Sequence, residues 1–326
     1  MNVRGKKIVL AGGSGFLGAA LARHFAGQEN EVVVLTRHPS APSGPIRFVG
    51  WDGQQLGDWL AELDGADILI NLTGRSVDCR YNPVNRREIL HSRLDATHVL
   101  GEAIRACKQP PAIWLNAASA TIYTDTRGDT PANTEAAGVI GEGFSVDVCT
   151  AWEKTFNEED VPGVRKILMR IAIVLGEEGA MVPMTRLARF GLGGRMGSGE
   201  QFMSWLHTTD FVGMVEFLIE AEDAEGVYNL ASPFPVTNAA FMRVLRAAVG
   251  RSFGIPSPAW LLELGARVIK TETELILKSR KVIPERLMAA GFTLDYPTVE
   301  QALPSLISRR SSRRQPAVEH AGQGTP

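Results

Sequence analysis

The stretch that most narrows the fold is "KKIVLAGGSGFLGAALARHF", residues 6–25. A run of aliphatic and β-branched residues meets Gly12, Gly13, Gly15 and Gly18, and an amphipathic helical pattern (Phe16, Leu17, Ala20, Leu21, Phe25) follows at once. A strand that turns through glycines into a helix is the opening of a βαβ unit. Gly12 permits the sharp exit from the strand, Gly15 lets the backbone approach a pyrophosphate, and Gly18 lets the helix pack closely. The helix start then offers unpaired N–H groups and the positive end of its dipole to phosphates. A dinucleotide is therefore expected at this corner, held by Gly12, Gly15, Phe16, Leu17 and Gly18.

Further strands are expected at 31–36, 46–51, 67–74, 112–119, 165–176 and 226–232. They are rich in Val, Ile and Leu without polar alternation, as in strands covered on both faces. Helical patterns separate them, the longest at 85–108 with a stripe of Ile89, Leu90, Leu94, Val99, Leu100, Ala103 and Ile104. The alternation predicts an α/β fold: a doubly wound parallel Rossmann sheet with a smaller, mostly helical C-terminal substrate lobe. The dinucleotide domain is expected over residues 1–176, completed by 207–232. The small lobe is expected over 177–206 and 233–307, and 308–326 is read as a disordered tail with four arginines.

Of the 326 residues 44% are hydrophobic and 21% charged, with a net charge of −2, which gives no reason to expect nucleic acid or an anionic membrane as partner. Cys79, Cys107 and Cys149 are too few and scattered for a disulfide framework or a zinc site, and no metal is expected. No apolar run reaches the roughly 20 residues that span a bilayer. "MNVRGKK" runs straight into the first strand, so no signal peptide is expected and the cytoplasm is the expected location. The partner is expected to be a small-molecule substrate, and a homodimer is left open.

A carboxylate at the end of the second strand selects NAD by bonding its ribose 2′-hydroxyl. Here that strand ends in Thr36 and Arg37, with no acid. An anionic 2′-phosphate is attracted by Arg37, so NADP is expected over NAD.

Four motifs together resemble the extended, sugar-nucleotide-epimerase-like branch of the short-chain dehydrogenase/reductase superfamily. They are "GGSGFLG", "INLTG" (70–74), "SATIY" (119–123) and "SWLHTTD" (204–210). The order of "SRLDAT" (92–97), "WEK" (152–154), "GLGGRMGSGEQFMSWLHTTD" (191–210) and "VIPERLMAAGF" (282–292) is similar to a subfamily labelled "epimerase family protein", some of whose members carry a cell-division-inhibitor label. The resemblance implies that Asn71, Leu72, Thr73 and Gly74 line the cofactor. It also implies that Ser119 and Thr121 hydrogen-bond a reacting carbonyl or hydroxyl.

The superfamily's chemistry rests on Tyr-x-x-x-Lys, the lysine lowering the tyrosine's pKa. Four residues after Tyr81, Tyr123, Tyr228 and Tyr296 stand Asn85, Arg127, Ser232 and Glu300, so no such pair exists. Alignment puts Phe144 and Val148 at the two positions. Tyr123, read as two residues beyond Thr121 on an extended segment, is the expected unpaired phenol for proton transfer. The resulting expectation is an NADP(H)-binding oxidoreductase or epimerase acting on a carbonyl or hydroxyl. The alternative is a non-catalytic NADP(H) sensor or regulatory module, for which the label of some subfamily members suggests a link to cell division.

Secondary candidates are Arg170, in an ion pair or near the inter-lobe region, and Arg75, facing the pyrophosphate or substrate. Arg93 is expected on a solvated helix face, with a phosphate or substrate contact as the alternative reading, Asp210 as a helix N-cap and His207 orienting a loop. Asp52 is read as initiating a turn or approaching the adenine.

Overall fold

A computed structural model of the protein describes residues 3–42, 44–269, 272 and 274–312. Its strands are β1 (Lys7–Ala11), β2 (Glu31–Thr36), β3 (Ile46–Gly50), β4 (Ile68–Asn71), β5 (Ile113–Ser119), β6 (Arg165–Ile171), β7 (Ile173–Leu175), β8 (Phe202–Met203), β9 (Trp205–His207), β10 (Gly226–Leu230) and β11 (Val236–Thr237). Its α-helices are α1 (Phe16–Ala26), α2 (Leu60–Leu63), α3 (Pro83–Ala106), α4 (Phe144–Glu158), α5 (Met181–Arg189), α6 (Thr208–Glu220), α7 (Asn238–Ala248), α8 (Ala259–Ile269), α9 (Glu274–Leu277), α10 (Glu285–Ala289) and α11 (Val299–Ser312).

Seven strands form one parallel sheet in the order β10-β6-β5-β4-β1-β2-β3. Successive residues of each strand face opposite layers. Ile8 and Leu10 of β1, with Val32 and Val34 of β2, pack on one side against Leu21 and Phe25 of α1 and against Phe211, Met214 and Leu218 of α6. Val9, Val33 and Leu35 pack on the other against Leu63 of α2 and Val99, Leu100 and Ala103 of α3. Two covered faces explain why these strands read as unbroken apolar runs. The order reverses at β1, with β2 on one side and β4 on the other, so the crevice beyond Ala11 is the place where such sheets take ligands.

A third core joins Met181 and Ala188 of α5, Phe241 and Leu245 of α7, and Ala302 and Leu303 of α11. Leu287 of α10 packs instead in the core on the α1/α6 face of the sheet, with Phe292 and Leu294 against it, so this part of 233–307 buttresses the sheet.

Three expectations need correction here. The stretch 165–176 is not one strand: β6 ends at Ile171, and β7 pairs with β9 in a separate two-stranded sheet. The last helix runs to Ser312, past the expected start of the tail, and residues 313–326 lie outside those described. Nor is Asp210 the N-cap of α6. His207 is, its Nδ1 accepting the Thr209 N–H at 3.0 Å.

Asp210 sits instead in the first turn of α6 and is buried, its carboxylate accepting the Asp295 and Tyr296 N–H groups at 2.7 and 3.1 Å. Burial pushes its pKa up to about 6, against the pull of those two hydrogen bonds. The folded state therefore holds this proton more tightly than the unfolded chain does. The resulting stability is complete below about pH 4 and is lost as the pH rises through 6. Asp210→Asn should show a pH-independent offset and lack this fall, which is on the order of 2–3 kcal/mol in the wild type. Urea midpoints at pH 4 and pH 7 check it. Parallel changes in both proteins would refute the assignment.

Among the described residues no helix is long and apolar enough to cross a membrane.

Candidate active site

The corner between β1 and α1 is built without slack. Gly12 has φ +71°, and a Cβ there would stand 2.8 Å from the Thr73 Cα and 2.9 Å from its N. At Gly18 a Cβ would overlap the backbone of Gly13, so this glycine packs the helix onto its own entry loop. At Gly15 the case is opposite: a Cβ would meet only the Gly12 carbonyl oxygen, at 3.9 Å, leaving room for a ligand. Gly15 is also the N-cap of α1, no side chain caps the helix and its first turn carries no acid. The first amides, those of Phe16 and Leu17 among them, are thus free for an anion. The Phe16 ring fills the space in which Gly176 has no side chain, bracing the loop from behind. These features fit a dinucleotide's diphosphate.

Arg37 is exposed just past β2 and has no carboxylate within ion-pair distance among the described residues. Beside it Thr36 Oγ1 donates to Ser14 Oγ at 3.1 Å, tying the strand tip to the glycine corner. Asp52, exposed, accepts the Gln54 and Gln55 N–H groups at 2.8 and 3.1 Å, a turn-forming role that holds its pKa down.

At the end of β4 the side chain of Asn71 is wholly internal. Its Nδ2 donates to Asn116 Oδ1 at 2.7 Å, and its Oδ1 accepts the Thr73 N–H at 3.0 Å. Asn71 shapes the segment whose surface is Leu72, Thr73 and Gly74; its own amide is not free for a cofactor. The Thr73 hydroxyl is buried without a partner among the described residues.

The end of β5 corrects the sequence reading most sharply. Ser119 caps a 3₁₀ turn, Ala120–Ile122, accepting the Thr121 N–H at 3.2 Å while its hydroxyl donates to Thr121 Oγ1 at 2.9 Å. Ser119 and Thr121 are both half-buried and adjacent. The segment is not extended, so Tyr123 does not share their face. It is fully buried, its hydroxyl 2.9 Å from Asn229 Oδ1 and 3.2 Å from the Thr134 carbonyl oxygen, and it accepts an N–H of Arg170 at 2.8 Å. Burial raises its pKa despite Arg170. Tyr123 is a structural anchor, not an unpaired phenol. Arg170 in turn is paired bidentately with Glu153 of α4, both contacts at 2.7 Å.

Phe144 and Val148 stand in the first turns of α4, and neither side chain carries a hydroxyl or an amine. The Phe144 ring meets Tyr81 edge-on, centroids 4.9 Å apart. Burial raises the Tyr81 pKa, opposed by a hydrogen bond with Ser145. Tyr81 reaches α4 from the loop before α3, a juxtaposition that tertiary packing makes and lysine spacing does not signal. Behind Ser119 the Cys149 thiol is buried, which pushes its pKa up to about 12.

Arg75 is held by Glu88 and Asn85. Arg93 is not on a solvated face. Its guanidinium lies over Gly74 and 5.2 Å from the Trp152 ring centroid, and burial pulls its pKa below the usual range.

Residues 8–231 match the model of the NAD dependent epimerase/dehydratase family, and 257–306 match a domain of unknown function, DUF1731. The chain belongs to the NAD dependent epimerase/dehydratase family. It is 31% identical over 311 residues to mouse epimerase family protein SDR39U1, covering 93% of this chain and all of that one. The crystal structure of human SDR39U1 (isoform 2) with NADPH superposes with a TM-score of 0.81 at 31% identity, covering 92% of this chain and 99% of that one. A nucleoside-diphosphate sugar epimerase from Corynebacterium glutamicum has a TM-score of 0.74 at 26% identity, over 94% of this chain and 59% of that one. These are the family and the "epimerase family protein" branch that the sequence motifs resemble.

Proposed function

We propose that the protein binds NADP(H) along the β1–α1 corner and the Leu72–Gly74 segment, and that it oxidises, reduces or epimerises a small molecule at a carbonyl or hydroxyl carbon. The observation that carries this reading is the alignment of an uncapped, glycine-lined helix start with the Ser119–Thr121 hydroxyl pair, at the ends of β1 and β5 with β4 between them. The NADPH-bound human relative and the name of the C. glutamicum epimerase support it. Bound there, the nicotinamide would supply or accept hydride. Ser119 and Thr121 would hold the substrate oxygen through hydrogen bonds and polarise it. Tyr81, against Phe144 at the start of α4, replaces Tyr123 as the phenol for proton transfer.

Arg37 selects the cofactor in this reading. Arg37→Ala should weaken NADPH roughly 10- to 100-fold, the range of one lost charge-assisted contact, and leave NADH nearly unchanged. Equal losses for the two cofactors would refute NADP selection.

Phe144 and Val148 favour a second reading, a regulatory module that binds NADP(H) without turnover. Purified protein with NADPH and a panel of small carbonyl compounds separates the two. Substrate-dependent loss of the reduced-nicotinamide absorbance supports the enzyme, and tight binding without turnover across the panel supports the module.

A further inference from the structure

Arg93 and Arg280 both lie near Ser119, and among the described residues neither forms an ion pair with a carboxylate. Arg93, on α3, uses only one nitrogen: its Nη1 donates to the carbonyl oxygens of Ile89 and Arg75 at 2.8 and 3.1 Å. Its Nε and Nη2, the edge that grips an oxyanion bidentately, have no acceptor among the described residues. That edge passes over Gly74, where a Cβ would stand 3.1 Å from Nη2 and 3.3 Å from Nε. The acidic groups within Coulombic reach of Arg93 are Cys149 and Tyr81, both neutral at ordinary pH.

Arg280 approaches from the segment between α9 and α10. Its Nη1 donates to the carbonyl oxygen of neighbouring Ser279 at 3.2 Å, and its Nε is buried with no hydrogen-bond partner among the described residues. Asp125 and Glu274 lie within its Coulombic reach, but Asp125 is paired with Arg127, and Glu274 with Lys278 and Ser145. Arg93 and Arg280 both act on the Cys149 thiol, which is hydrogen-bonded to Ser119. The two guanidinium groups therefore flank the end of β5, one from α3 and one from the C-terminal segment.

A partly desolvated cation without a counter-ion is costly, and a second one nearby adds like-charge repulsion. Asp125 and Glu274 offset that cost only in part for Arg280, and among the described residues no carboxylate pairs with either arginine. We propose that Arg93 and Arg280 form an oxyanion subsite beside Ser119 and Thr121, and that the substrate is a small molecule bearing a carboxylate or phosphate group close to its reacting carbon. The inference rests on the proposed function for the words "substrate" and "reacting carbon"; the anion site itself does not.

The test titrates the full-length protein calorimetrically with oxalate and with inorganic phosphate, each with and without saturating NADPH. Wild type should bind at least one of the two in the presence of NADPH, and the preferred probe separates carboxylate from phosphate. Arg93→Met and Arg280→Met should each weaken that binding roughly tenfold or more, while NADPH affinity changes much less. Arg280→Met should also be at least as stable as wild type, since it removes an unsatisfied buried donor; a merely structural arginine would show the opposite. Should Arg93→Met fail to fold, Arg93→Lys, which keeps the charge and loses the fork, should still weaken the anion. The inference is overturned if neither probe binds, if both variants bind as wild type does, or if NADPH competes the anion away, which would make this a cofactor phosphate site. Failure of wild type to bind NADPH would sink the proposed function alone, because the anion titration without cofactor stands by itself.

Discussion

Arg170→Met should cost about 3–5 kcal/mol of folding stability, because it strands the buried carboxylate of Glu153. The side chains of Arg170 and Glu153 are only 11% and 10% exposed. Burial works against the Arg170 charge, but the hydrogen bonds and charge of Glu153 more than restore it and raise its pKa. Removing the cation also takes from the Tyr123 hydroxyl the donor at 2.8 Å. The expected readout is a lower urea midpoint at unchanged slope, since the core is not opened. The double variant Arg170→Met/Glu153→Leu should recover most of the loss, because no charge is left behind. A single-variant loss below about 1 kcal/mol, the range of exposed pairs, would show that water screens this one. The pair matters to the site because it joins α4 to β6 and fixes the Arg170 guanidinium that holds Tyr123, just past the turn after Ser119.

Legibility followed how local each signal was. The glycine corner and the parallel sheet were readable because steric exclusion at Gly12 and Gly18, and burial of both sheet faces, act on residues close in sequence or on strongly periodic runs. The turn after β5 was not. Ser119 caps its own 3₁₀ turn, and this side-chain competition with the strand rotates Tyr123 inward, where Arg170 and Asn229 await it. The division of 165–176 hangs on β9, some thirty residues later in the chain. Arg93 reads as one more charge on a long helix, and only the tertiary approach of Gly74 and Trp152 removes it from water. Asp210 has a cap's chemistry one turn too late, since His207 takes the cap and the carboxylate receives two amides from residues 295 and 296.

Gly12→Ala should lower NADPH affinity roughly 100-fold or more. Alanine at φ +71° costs about 1–2 kcal/mol in backbone strain alone. The new Cβ would also press on the Thr73 backbone, which cannot retreat: its N–H is held by Asn71 Oδ1 at 3.0 Å, and Leu72 N–H by the Ala11 carbonyl oxygen at 2.9 Å. The corner itself must therefore shift, carrying the start of α1 and its free amides away from the diphosphate. Gly15→Ala provides the contrast. Its φ of −78° suits alanine, and its Cβ meets only one oxygen at van der Waals distance, so stability should match the wild type. Any loss of NADPH affinity there, expected to be roughly tenfold or more, comes from the volume the ligand needs above Gly15. Calorimetric titration and thermal unfolding of both variants separate these effects. If Gly15→Ala binds NADPH as tightly as wild type, the diphosphate does not lie over this turn, and the free amides of α1 serve something else.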